Sequence, residues 1–63
     1  MDVFDTIEAA QHVRLSKPTL ERLRLTGDGP SFLKLGRAVR YRKADLDEWL
    51  ASRLVRSTSQ EAA

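Results

Sequence analysis

The stretch from Ser16 to Arg42 constrains this chain most. Its apolar period changes from helical to alternating within a few residues, and nearly all its charge has one sign. Ser16-Lys17-Pro18-Thr19-Leu20-Glu21-Arg22-Leu23-Arg24 has the form of a capped amphipathic helix. Ser16 suits the N-cap, and Pro18 falls in the first turn, where its missing N–H has no intrahelical partner to lose. Leu20 and Leu23 mark the buried side. Lys17, Thr19, Glu21 and Arg22 are left exposed, with Arg24 towards the flank. Gly27, Asp28, Gly29 and Pro30 end the helix and turn the chain sharply.

From Phe32 the period is two, which predicts a hairpin over 32–42 with Gly36 in its turn. Leu33 and Leu35 are expected on one face with Val39 and Tyr41. Lys34, Arg40 and Arg42 are expected on the other, and Arg37 at the tip. A lone two-stranded hairpin is marginal in water, so its apolar face must rest on helices.

Between Arg14 and Lys43 stand nine Lys or Arg against two acids, a net +7, so the other residues carry −5 within a total of +2. The molecule is strongly polarised. A short exposed helix beside a cationic hairpin matches the demands of duplex DNA, whose major groove admits a helix and whose phosphates attract cations.

Sixty-three residues allow one small domain with a marginal core. There is no cysteine and one histidine, His12, so neither a thiolate metal site nor a nucleophile–histidine–acid triad has material to build on. The expectation is a binding module and not an enzyme, with no metal and no cofactor. No apolar run approaches the ~20 residues that cross a bilayer, which excludes a helical span, and a cytoplasmic location is expected.

On the flanks, Met1 to Asp5 is expected as a lead-in. A first helix is expected over about 6–13, capped by Thr6, with Glu8 at the positive end of its dipole and Ile7, Ala10 and Val13 inward. Arg14-Leu15 then forms a turn and the second helix runs over about 16–26. A third is expected over about 44–54, with Leu46, Trp49, Leu50 and Leu54 inward and Asp45, Asp47 and Glu48 making its start acidic. The domain is placed at 1–54, and residues 55–63 as a polar, frayed tail. Tyr41 and Trp49 fit the core better than a stacking platform for single strands. His12 is expected as a partly exposed helix residue without a special task.

The order of these parts carries a resemblance. Thr6-Ile7-Glu8-Ala9-Ala10, Ser16-Lys17-Pro18-Thr19-Leu20, Gly29-Pro30, Lys34-Leu35-Gly36-Arg37 and Val39-Arg40-Tyr41-Arg42-Lys43-Ala44-Asp45-Leu46-Asp47-Glu48-Trp49-Leu50 resemble the MerR-type winged helix-turn-helix of small excisionase and AlpA-like proteins. The resemblance spans about Phe4 to Ser52. It implies a mainly α fold with a small β-hairpin: three helices and a two-stranded wing. It implies double-stranded DNA as partner, the second helix in the major groove and the wing on backbone or minor groove. Many such proteins are phage or mobile-element directionality factors, which bind adjacent sites, bend DNA and direct a tyrosine integrase towards excision; others regulate transcription. Full MerR regulators continue into a long dimerisation helix and an effector domain, and the sequence stops short of both. A ligand-sensing symmetric dimer is therefore not expected. Position 38, often basic in this family's wing turn, is Ala38 here.

The expected DNA contacts are Ser16, Lys17, Thr19, Arg22 and Arg24 on the second helix and Lys34, Arg37, Arg40 and Arg42 on the wing. Arg22 is the candidate for a guanine edge, since its fork matches O6 and N7 together. Glu21 has two roles open, a cytosine contact or a pair with a neighbouring cation. Arg24 is open between a phosphate and an intramolecular salt bridge, and Arg42 and Lys43 between DNA and the acidic start of the third helix. Opposite charges on the two sides would let copies pack head to tail along DNA. The functional expectation is an excisionase, with a small transcriptional regulator of the same fold as the first alternative. The second is a protein–protein module, such as an anti-repressor.

Overall fold

The structure is a computed structural model and describes residues 2–55. Its elements are β1 (Val3–Phe4), α1 (Thr6–Val13), α2 (Lys17–Thr26), β2 (Leu33–Leu35), β3 (Ala38–Arg42) and α3 (Lys43–Ser52). Three helices and a small antiparallel sheet make it a winged helix-turn-helix, as expected. The tail expected over 55–63 lies outside the described residues from residue 56 onward.

Asp5, not Thr6, caps α1. Its carboxylate accepts from the Glu8 backbone N–H at 2.7 Å, and the Glu8 carboxylate accepts from the Asp5 N–H at 2.9 Å. This reciprocal box satisfies two backbone donors that a helix start leaves without partners, and a Thr6 cap would satisfy only one. The helix stops at Arg14, which is left-handed (φ 62°) and donates its N–H to the carbonyls of Ala10 and Gln11. Leu15 N–H returns to the Ala10 carbonyl at 2.9 Å, so the chain reverses within two residues and reaches Ser16.

Ser16 caps α2 as the sequence indicates. Its Oγ accepts from the Thr19 N–H at 3.3 Å and lies 2.7 Å from the Thr19 hydroxyl. The far end closes on Gly27 at φ 82°, a left-handed position that glycine occupies without a Cβ clash. Gly29 then passes so close to α2 that a Cβ there would lie 3.0 Å from Leu23 Cβ.

The sheet has three strands in the order β1-β3-β2, one more than the hairpin expected. The lead-in supplies the third: Val3 pairs with Arg42 and Phe4 with Tyr41. Asp2 also offers its carbonyl to the Lys43 N–H at 2.9 Å, a bond that serves the start of α3 where Arg42 provides no capping side chain. α3 accordingly begins at Lys43 and ends at Ser52, within the expected 44–54 except for its first residue.

Wing register departs from expectation. Leu33 pairs with Arg40, Lys34 with Val39 and Leu35 with Ala38. Directly opposed residues share a sheet face, so Lys34 lies on the side of Val39, Tyr41 and Phe4, while Leu33 and Leu35 share the outer side with Arg40 and Arg42. The loop is only Gly36-Arg37, with positive φ (66°) at Gly36 alone, the pattern of a II′ turn. A two-residue loop fixes this pairing, and the bulkier pair on β3, Val39 and Tyr41, takes the core side.

Ala9, Ala10, Val13, Leu20, Tyr41 and Leu46 are buried, and Phe4, Leu15, Val39 and Trp49 pack around them. The two alanines leave α1 thin enough for both other helices to approach. Three residues expected inward on the helices lie outside: Ile7 is 53% exposed, Leu50 38%, and Leu54, past the end of α3, 77%. His12 holds a specific place. Its Nε2 is 2.7 Å from Asp47 Oδ1, and its ring lies 5.4 Å from that of Phe4, joining α1 to α3 and β1. Trp49 is half-buried, and its indole N–H donates to the Asp28 carbonyl at 2.9 Å, pinning the α2–β2 loop. Among the described residues no helix is long and apolar enough to cross a membrane.

Candidate nucleic-acid interface

On α2 the 100° step per residue puts Leu20 inward with Leu23 and Arg24 beside it, and Pro18, Arg22 and Leu25 outward. Lys17 and Glu21 flank this outer stripe. They pair at 3.5 Å, an exposed i,i+4 contact worth a few tenths of a kcal/mol. Arg22 is exposed and has no side-chain partner among the described residues, so its guanidinium is available to a base edge. Ser16 and Thr19 sit at the mouth of the helix but spend their hydroxyls on each other.

Arg24 is turned inward. Its guanidinium donates to the buried Tyr41 hydroxyl at 3.1 Å and lies 5.8 Å above the Phe32 ring, itself 6.1 Å from the Tyr41 ring. Its structural role is a link from α2 to the wing, through a hydrogen bond and a ring face instead of a salt bridge.

Of the wing cations, Lys34 and Arg37 are exposed without partners among the described residues. Arg40 donates to the Val39 carbonyl at 2.8 Å. β1 reaches only Tyr41 and Arg42, so at Val39 the edge of β3 is open, and Arg40 covers it. Arg42 is committed differently. Its Nε and one terminal nitrogen donate to the two Asp45 oxygens at 2.7 and 2.8 Å, and Lys43 meets Asp47 at 2.9 Å. The Arg42 fork holds the Asp45 carboxyl below its usual range, and His12 together with Lys43 does the same for Asp47. Both cations thus meet the acidic start of α3, one of the two options the sequence left open.

A groove of about 350 Å³ joins the two halves of the surface. α2 lines it with Lys17, Glu21 and Arg24, the wing with Arg37, Ala38, Val39 and Arg40, and the start of α1 with Asp5, Thr6 and Ile7. The fold therefore gathers Lys17, Arg24, Arg37 and Arg40 at one place. It sets Arg42 apart, in a separate concavity with Asp2, Lys43 and Asp47. Leu25 was missed on the outer stripe, although a helical wheel places it one turn beyond Arg22. Among the described residues no cluster of three His, Asp or Glu could hold a metal ion.

Comparison with curated proteins gives no match to this chain. A family model for a helix-turn-helix domain matches residues 3–54, which takes in every element described above. A capped outward helix presented by a preceding helix is the helix-turn-helix arrangement, and the chain belongs to the helix-turn-helix domain family of DNA-binding proteins.

Proposed function

We propose that this DNA-binding protein is an excisionase-type directionality factor that reads double-stranded DNA with α2 and grips it with the wing. The observation that carries this reading is the groove between α2 and β3, lined by Lys17, Glu21 and Arg24 on one side and by Arg37 and Arg40 on the other, with Arg22 exposed on the adjoining outer stripe of α2. A duplex seated across it offers its major groove to Pro18, Arg22 and Leu25 and a flanking phosphate row to the wing. Arg22 is the base reader, Lys17, Lys34, Arg37 and Arg40 the phosphate contacts, and Ser16 and Thr19 hold the helix mouth.

One unit of this size covers little DNA, so the proposed activity needs several copies side by side, each tilted by its wing. Bending a short site costs of order 1–6 kcal/mol, offset by the contacts the bend permits. At the acidic start of α3, Asp45 and Asp47 are engaged within the chain, which leaves Glu48 as the acid of that group without an ion pair among the described residues. Contact between copies therefore rests more on shape and on the shared DNA than on opposite charges. The proposed location is the cytoplasm of a bacterial cell, at the nucleoid.

Footprinting against the DNA flanking the protein's own gene, followed by recombination in vitro with the neighbouring integrase, tests the proposal. Excision that requires the protein, and footprints that appear together across adjacent sites, are expected. A footprint on a single site with no effect on recombination would instead identify a transcriptional regulator.

A further inference from the structure

Leu25 has no place in the fold. It is 84% exposed, more than any other large apolar side chain among the described residues. It cannot turn inward, because Leu20, Leu23 and Arg24 already occupy the inner side of α2. Its neighbours along the helix are Pro18 and Arg22, so the outermost stripe of the presented helix is apolar, cationic, apolar.

We infer that Leu25 recognises the 5-methyl group of a thymine in the major groove. The inference rests on the placement of α2 in that groove. Of the groups exposed there, guanine and adenine N7, guanine O6, thymine O4 and the amino groups all need hydrogen-bonding partners, and a leucine pressed against them would strip their water and return nothing. The thymine methyl is the apolar exception. Cytosine carries hydrogen at the same carbon, so the contact separates the two pyrimidines through one methyl group. Leu25 lies three residues beyond Arg22, a rise of about 4.5 Å along the helix. That is little more than the ~3.4 Å between successive base pairs. The thymine should therefore lie within one or two base pairs of the guanine that Arg22 reads.

The experiment uses the full chain and a duplex recovered by selection from random sequence. Each thymine in turn is replaced by deoxyuridine, which differs only by the missing methyl. At one position, within two base pairs of the one sensitive to Arg22→Ala, uracil should weaken wild-type binding by roughly fourfold, the worth of one buried methyl-sized group. Leu25→Ala should bind the thymine and uracil duplexes equally. It should keep the wild-type circular dichroism, because Leu25 is largely exposed and lies outside the core. Putting 5-methylcytosine at that position should recover part of the wild-type affinity lost with cytosine. Tolerance of uracil at every position, or the same loss in Leu25→Ala, would overturn the inference. Salt-dependent duplex binding that ignores the methyl defeats this inference alone, whereas loss of binding to every duplex defeats the DNA reading with it.

Discussion

Arg22 and Arg37 are both exposed guanidinium groups without an acidic partner among the described residues, yet the proposed reading gives them different work. Arg22 stands on the rigid outer stripe of α2, one turn from Pro18 and from Leu25, where a fixed fork can select one base. Arg37 stands at the tip of a two-residue turn, where the backbone of any sequence offers the same phosphate. Arg22→Ala should cost about 1–3 kcal/mol of binding and relax preference at one base position. Arg37→Ala should weaken all duplexes about equally. Binding selections with the two variants check this, and a matching loss of preference in both would remove the distinction between reader and gripper. Arg24, equally basic, is spent on Tyr41 and Phe32, and its neighbourhood shows how a buried phenol can claim a cation that the local sequence leaves free.

Between elements, contacts too close for substitution set the angles. A Cβ added at Gly29 would lie 3.0 Å from Leu23 Cβ and 3.4 Å from its carbonyl carbon, so Gly29→Ala requires the loop and α2 to move apart by a few tenths of an ångström. Overpacking of this kind costs about 1–3 kcal/mol. It outweighs the ~0.4–1 kcal/mol that a lost glycine gives back through the unfolded chain. Urea unfolding should show the variant less stable, and a gain in stability would mean that the loop gives way freely. The α1–α3 joint has its own signature. His12, and after it Lys43, hold Asp47 below its ordinary carboxylate value of 3.8. A lowered folded value stabilises the fold at higher pH, and that contribution disappears as pH falls through the folded value, hence below about pH 4. Asp47→Asn should flatten the acid limb of stability while leaving acid-induced loss from Asp45 in place. An unchanged limb would show that His12 and Asp47 do not hold the helices together. The helices themselves were legible in the sequence because Ser16, Pro18 and the Gly27–Pro30 break are local signals. Strand register was not. Leu33-Lys34-Leu35 alternates correctly on its own, but only the turn length decides which strand positions oppose each other. Placing the turn on Gly36-Arg37 would have put Lys34 opposite Val39. β1 escaped notice because two residues carry no period, and the Asp5 cap because Thr6 is also a good one.

The polarity of the whole molecule is less extreme than its charge sequence implies. Nine cations in one stretch suggest six or more phosphate contacts and a log–log salt slope near −5 by counterion release. In the fold, Arg42 and Lys43 neutralise Asp45 and Asp47 on the side of α3, and Arg24 is tied to Tyr41. Of the six left, Arg22 is assigned to a base and Arg14 belongs to the turn between α1 and α2, so Lys17, Lys34, Arg37 and Arg40 remain for the backbone. Four such contacts give a slope of about −3.6 for one bound unit. Titrating duplex affinity against salt measures this directly, and paired substitutions locate its source. Removing Arg42 and Asp45 together (Arg42→Ala with Asp45→Ala) keeps the net charge and should leave the slope unchanged, whereas Arg37→Ala should flatten it by ~1. If the double variant flattened the slope instead, Arg42 would leave Asp45 on binding, and the acidic start of α3 would be a store of cations released to DNA. A flat salt response in the wild type would point to a protein partner for the basic face.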